Sequence, residues 1–262
     1  MNHSLHTIPI EDDPCDVIGK AMRGLGMSRD TLAEKTNLTE NTITRILAGE
    51  TDTEALGKIA LALNLSAKAL SGLPSYRPDI AAPPDLEMIV SPFGHAGVNS
   101  FIISHGPEAV VFDTGTDASP ILDFLTQKNL NASALVITHR HPDHTAGVAD
   151  FGNTPVIFPE EMEHGQTATY GGISITALDA SGHVSPARAY FSQDLSQPVC
   201  ILGDCLFAGS MGGTSSPQNY QLALKTIRKS ILPLPDNTIL GPGHGPLTSL
   251  AMEKLHNPFL AD

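Results

Sequence analysis

Residues 134–147 read ALVITHRHPDHTAG, an apolar run that breaks directly into three histidines and an aspartate. A short bounded run such as Ala134–Ile137 reads as a buried strand, so the imidazoles crowded at its end need a cause. Side chains two apart in an extended segment share a face, which lets His139 and His141 point at one ion. The chain must turn at Pro142, and Asp143 and His144 then open a helical pattern facing a second position. Three further segments repeat the theme. His183 follows a glycine in DASGHVS, Asp204 ends the apolar run VCILGD, and His244 sits in the Gly-Pro loop of TILGPGHGP. A lone histidine there is usually structural, and a lone aspartate usually a turn residue. Together, all at strand ends, the seven N/O donors suit two borderline cations. Three imidazoles would serve one, two imidazoles and a carboxylate the other, with one carboxylate shared.

The chain around them is that of a globular protein. It has 262 residues, 41% hydrophobic and 16% charged, enough for one large domain or two modest ones. There is no apolar run of about 18 residues, so no membrane-spanning helix is expected. The acidic start MNHSLHTIPIEDDPCD lacks the basic and apolar regions of a secretory signal. Three cysteines without CxxC spacing suit a reducing cytoplasm, and Cys200 and Cys205 read as packing thiols. The net charge of −13 disfavours non-specific contact with polyanions. Residues 1–75 carry seven Lys/Arg against ten Asp/Glu, and the remainder eight against eighteen.

Residues 14–75 have a helical texture. DVIGKAMRGLGM, SRDTLAEKT, TENTITRILAG, TDTEALGKIALALN and SAKALSGL each keep apolar residues at helical spacing. Ser28, Thr39 and Thr51 are placed as N-caps, and Glu54 completes a capping-box pattern with Thr51. The second and third helices meet at the turn NLT, with Leu32, Ala33, Leu38, Ile43 and Ile46 as core. This stretch, LGMSRDTLAEKTNLTENTITRILAGE, resembles the Cro/repressor-like helix-turn-helix family. The resemblance implies a third helix presenting Glu40, Asn41 and Arg45 to DNA bases and backbone. The alternative is a packing or dimerisation module, since Arg45 stands among Glu40 and Glu50 and phosphate neutralisation supplies much of DNA affinity.

PSYRPDIAAPPD, residues 74–85, carries four prolines and reads as a stiff linker, the domains being 1–75 and 86–262 with residues 76–85 between. Beyond it, LEMIVSPF, VNSFIIS, EAVVFDTG, ALVITH, PVIFP, GISITALD, ARAYFS, PVCILGD and NTILGPG are β-rich. SPILDFLTQKNL and QNYQLALKTIRKSILP are helical. This order predicts an α+β arrangement of sheets with helices packed outside.

Residues 86–262 resemble the metallo-β-lactamase fold, and more narrowly the glyoxalase II type. The resemblance is carried by THRHPDHTAG, the Gly-His pair at 182–183, GDCLFAGSMGG, GPGHGP and EKLHNPFL. It implies an αβ/βα sandwich with His139, His141 and His183 on one metal, Asp143, His144 and His244 on the other, and Asp204 bridging. Asp143 and Asp204 are the implied catalytic residues, and Asp113 in FDTG takes a supporting position. The implied cofactors are two divalent cations, zinc first, with iron or manganese as alternatives. The implied activity is metal-assisted hydrolysis of a small thioester or ester, in a cytoplasmic homodimer whose partners are that substrate and DNA. His95 in FGHAG is a weaker candidate for the cleft lining. The sequence departs from many relatives at Gly213-Thr214-Ser215, where they have Arg-Thr-Asp, and it ends eighteen residues after His244. Loss of that guanidinium removes a bidentate anion anchor, so glutathione specificity is not expected. Two alternatives accompany the hydrolase: a ligand-responsive DNA-binding regulator, and a phosphodiesterase of the same fold.

Overall fold

The structure is a computed structural model that describes residues 8–94 and 97–261. The first 75 residues supply helices α1 (Pro14–Leu25), α2 (Arg29–Thr36), α3 (Glu40–Leu47), α4 (Thr53–Ala62) and α5 (Ala67–Gly72). Ser28 and Thr39 cap α2 and α3 through their hydroxyls, which accept from the Thr31 and Thr42 amides. The expected cap at Thr51 is not formed. Asp52 takes the position, its carboxylate accepting from the Ala55 amide, and Glu54 instead pairs with Lys58 one turn on. An aspartate caps at least as well as a threonine and adds charge against the helix dipole, so the helix begins one residue later. Leu32, Ala33, Ile43 and Ile46 are buried as expected, and Leu38 packs at their edge.

The strand-rich half is a sandwich of two sheets. One has the order β1 (Leu86–Ser91), β2 (Val98–His105), β3 (Glu108–Phe112), β4 (Asn131–Val136) and β5 (Val156–Ile157). The other runs β11 (Thr248–Ser249), β10 (Ile239–Pro242), β9 (Val199–Gly203), β8 (Arg188–Ser192), β7 (Ile173–Asp179) and β6 (Thr167–Tyr170). Alternation along each strand divides the apolar residues between the two faces. Val110 and Phe112 of β3 meet Val199 and Ile201 of β9 between the sheets. Ala109 and Val111 face outward against Ile121 and Leu125 of α6 (Ser119–Lys128). Cys200 and Leu202 of β9 face the opposite outer layer, where α8 (Pro217–Thr226) and α9 (Leu250–His256) lie. A short α7 (Pro142–Thr145) follows β4.

The helical half is not a module on a free tether. Val17, Ile18 and Ala21 of α1 belong to the same apolar cluster as Tyr220, Ile227 and Leu240 of the sandwich. Gly24 is packed so closely on the Tyr220 ring that a Cβ would collide with it. The Pro-rich connection is itself anchored. Tyr76 is buried, its hydroxyl donates to Glu253 Oε1 at 2.7 Å, and its ring stacks on His256. Glu253 also accepts from the Thr248 hydroxyl, the Asn257 amide and the Gly209 backbone N–H.

Candidate metal centre

All seven expected donors converge at one edge of the two sheets. His139, His141, His183 and Asp204 form one group, and Asp143, His144 and His244 a second, the ligand atoms of each lying within 4.8 Å of one another. The strands explain the convergence. β4 leads to His139 and His141, with His144 on α7; β7 leads to His183; β9 ends just before Asp204; β10 ends just before His244. Asp204 lies between the groups: Oδ1 is 3.3 Å from His144 Nε2, and Oδ2 is 3.5 Å from both His183 Nε2 and His244 Nε2. Gly243 is required beside it, since a Cβ there would strike Asp204 Oδ1 and the His144 ring.

Second partners orient the rings. His144 Nδ1 donates to Asp113 Oδ2 at 2.8 Å, and Asp113 also accepts from the Thr138 amide and hydroxyl. His183 Nδ1 donates to the Gly213 carbonyl at 2.5 Å, His244 Nδ1 to the Gly97 carbonyl at 2.7 Å, and His139 Nδ1 to the Thr138 hydroxyl at 3.0 Å. With the Nδ1 protons committed outward, four Nε2 lone pairs are presented inward, an arrangement that fixes tautomer and aim for a metal. His141 turns its Nδ1 inward instead, 3.1 Å from His183 Nε2.

The centre fits divalent cations on its own chemistry. His139 Nε2 is buried with no hydrogen-bond partner, and His144 Nε2 and Asp204 Oδ1, 3.3 Å apart, are buried without a well-aligned hydrogen bond, a costly state for polar groups unless a cation meets them. Burial pushes the His139 imidazole down to about 2, and it lowers His141 too, so both are neutral donors. Burial also works to lower His144 and His244, but carboxylates outweigh it and raise both, Asp113 and Asp204 for the first and Asp204 for the second. Asp204 is held well below the usual carboxylate range by His144 and His244 despite its burial. Cys205 is buried beside Asp204 with its thiol pushed up to about 12 by desolvation, which suits a packing group.

Residues 94–165 match the family model of the metallo-beta-lactamase superfamily, and residues 18–70 match the helix-turn-helix model. The strand-rich half thus has the metallo-β-lactamase fold. It is 27% identical over 195 residues to the hydroxyacylglutathione hydrolase GloC of Haemophilus influenzae, covering 62% of this chain and 91% of that one. The crystal structure of the BLEG-1 B3 metallo-beta-lactamase superposes with a TM-score of 0.58 at 27% identity, over 68% of this chain and all of that one. A further solved structure, of a protein in a di-iron-bound form, superposes with a TM-score of 0.53 at 26% identity, over 66% of this chain and all of that one.

Several residues at the metallo-β-lactamase centre were not singled out in the sequence. Asn99 on β2 donates from its amide to the Pro242 and Gly245 carbonyls, both at 2.8 Å, and so fixes the loop bearing His244. Thr138 links His139 to Asp113. Phe93 and Phe207 flank the His244 ring. None has a spacing signature, because each acts through a partner distant in the chain. His95 lies outside the described residues. His164 accepts from the Asp179 amide and His256 stacks on Tyr76, both away from the centre.

Proposed function

We propose that the protein is a binuclear metal-dependent hydrolase of a small thioester or ester, with zinc as the physiological cation and an appended helix-turn-helix domain. The observation that carries this reading is the division of donors into two groups with Asp204 between them. His139, His141 and His183 would hold one cation, Asp143, His144 and His244 the other, and Asp204 both. Bound cations would acidify a water toward hydroxide and polarise the substrate carbonyl. The chain's own part is to aim the imidazoles through Asp113, Thr138 and the Gly97 and Gly213 carbonyls. Asp143, whose side chain is 11% exposed and lies 3.5 Å from His244 Nε2, would accept a proton from an incoming water. The Gly213-Thr214-Ser215 stretch offers no guanidinium to an anionic substrate, which supports a substrate other than a glutathione thioester. The domain division goes with this reading: residues 1–75, a connection at 76–85, and the hydrolase from 86.

The test is a panel of thioesters, phosphodiesters and lactones on metal-loaded protein, with metal content measured in parallel. Thioester turnover with close to two metals per chain is expected, and Asp204→Ala should lose more than about 100-fold in activity, beyond the usual cost of removing a ligand's supporting partner. A single iron per chain, or full activity in Asp204→Ala, overturns the reading.

A second reading, DNA binding, is favoured by the exposed outer face of α3, which presents Glu40, Asn41, Thr44 and Arg45. Its one cation is engaged, because Arg45 Nε and Nη2 both donate to the Glu50 carboxylate. Glu50→Ala should therefore strengthen retardation of promoter DNA at low salt by severalfold. Unchanged or absent binding would leave these helices as a packing module.

A further inference from the structure

One carboxylate approaches the metal centre from the other half of the chain. Residues 8–13 precede α1 and lie across the loop that carries His244. The Glu11 backbone nitrogen is 3.3 Å from where a Cβ on Gly245 would stand, and the Pro9 carbonyl is 3.6 Å from it. On one side of Glu11, Ile10 is buried in the apolar cluster shared by both halves. On the other, buried Asp12 pairs with Lys20 of α1. The Lys20 ammonium also donates to the Met211 carbonyl at 2.8 Å and lies 5.2 Å from the centre of the Phe207 ring, which packs on His244. The segment is thus latched at both ends with Glu11 between.

The Glu11 side chain has an unusual environment. Its Oε2 is buried and has no hydrogen-bond partner, a condition it shares with His139 Nε2 of the centre. The charged groups that face it are His244, Asp12, Lys20 and Asp204, and the Lys20 charge is already matched by Asp12. Glu11 belongs to neither ligand group, so direct ligation is not its place. Glu11 is half-buried, but an oxygen enclosed without a partner is expensive unless positive charge is supplied nearby, and the adjoining centre is built to hold it.

We infer that Glu11 is an outer carboxylate of the metal centre, supplied by the segment ahead of the helix-turn-helix, and that it couples metal binding to the docking of that segment. The inference rests on the metal-site reading above. Coupling is reciprocal: whatever Glu11 adds to metal affinity, bound metal returns as tighter docking of residues 8–13. Lys20 and Asp12 carry that tightening into α1. The helix-turn-helix half would in this way register the occupancy of the hydrolase site.

The experiment uses the full chain, with zinc alone as the probe. Zinc affinity is measured by competition with a chromophoric chelator, and amide hydrogen exchange of residues 8–20 is followed with and without zinc. Wild type should show exchange in this segment slowed severalfold by zinc. Glu11→Gln should bind zinc roughly tenfold more weakly and lose most of that protection, while melting as wild type does without metal. Asp12→Asn, which loosens the latch but keeps Glu11, should also lose the zinc-dependent protection. Equal zinc affinity in wild type and Glu11→Gln, or exchange in wild type that zinc leaves unchanged, overturns the coupling alone. Failure of wild type to bind zinc overturns both it and the metal-site reading.

Discussion

His144 illustrates how much of this site is settled one residue at a time. Its Nδ1 proton is committed to Asp113 and its Nε2 faces Asp204. In the metal-free protein, carboxylates raise both His144 and His244 above the ordinary value of 6.5 in spite of burial. Both therefore keep an extra proton to higher pH than an ordinary imidazole does, whereas a metal ligand must be neutral. Metal entry should expel those protons. Apparent zinc affinity should accordingly rise with pH above about 6.5 and level off once both imidazoles are neutral. Calorimetric titration at pH 7 in buffers of different ionisation enthalpy would read the release directly, and buffer-independent heats would contradict it. At this scale the sequence was highly legible for the seven residues that the fold gathers, because chemically conspicuous residues at strand ends have few other reasons to be there. It was opaque for Thr138, Asn99 and Glu11. Threonine, asparagine and an N-terminal glutamate are ordinary surface residues until folding brings a distant partner to them.

Among the elements, β2 does more than fill a sheet. Asn99 pairs through its backbone with Val90 of β1, and its side chain reaches across to the loop after β10. Asn99→Ala would leave two buried carbonyls without donors, at a cost of about 1–3 kcal/mol, and would free the loop that carries His244. We expect a lower melting temperature together with weaker metal binding, compared by denaturation with and without chelator. An equal loss in both conditions would confine the role of Asn99 to stability. The long apolar strands were readable because alternation and flanking turns marked them. β6 was not, since Thr167–Tyr170 is polar and half-exposed at a sheet edge. α9 was seen only as the motif EKLHNPFL; its value as an element lies in Glu253, whose four donors all lie outside the helix, two beside its ends and two far along the chain. The Thr51 cap failed because two capping residues stood side by side and the carboxylate prevailed.

Across the whole molecule, the reading of a linker between separate modules understated the contact between the halves. Composition marks a Pro-rich connection but cannot show that Tyr76 within it is buried against Glu253. Tyr76→Phe removes one donor from a buried carboxylate, worth about 1.5–3 kcal/mol. For a chain of this size that corresponds to roughly 5 °C in melting temperature. Because one apolar cluster spans both halves, the variant and the wild type should each melt in a single transition followed equally by helix and strand signals. Two separated transitions would show the halves to be energetically independent.

The contact between Gly24 and the Tyr220 ring also bears on descent. A helix-turn-helix with any larger residue at position 24 would bring a side chain where only a hydrogen fits, and a hydrolase without an aromatic ring at position 220 would leave the space over Gly24 unfilled. Exchange of either half for one that does not match at this contact would therefore be penalised. Lineages carrying this chain should keep residues 24 and 220 as a matched pair, changing together or not at all.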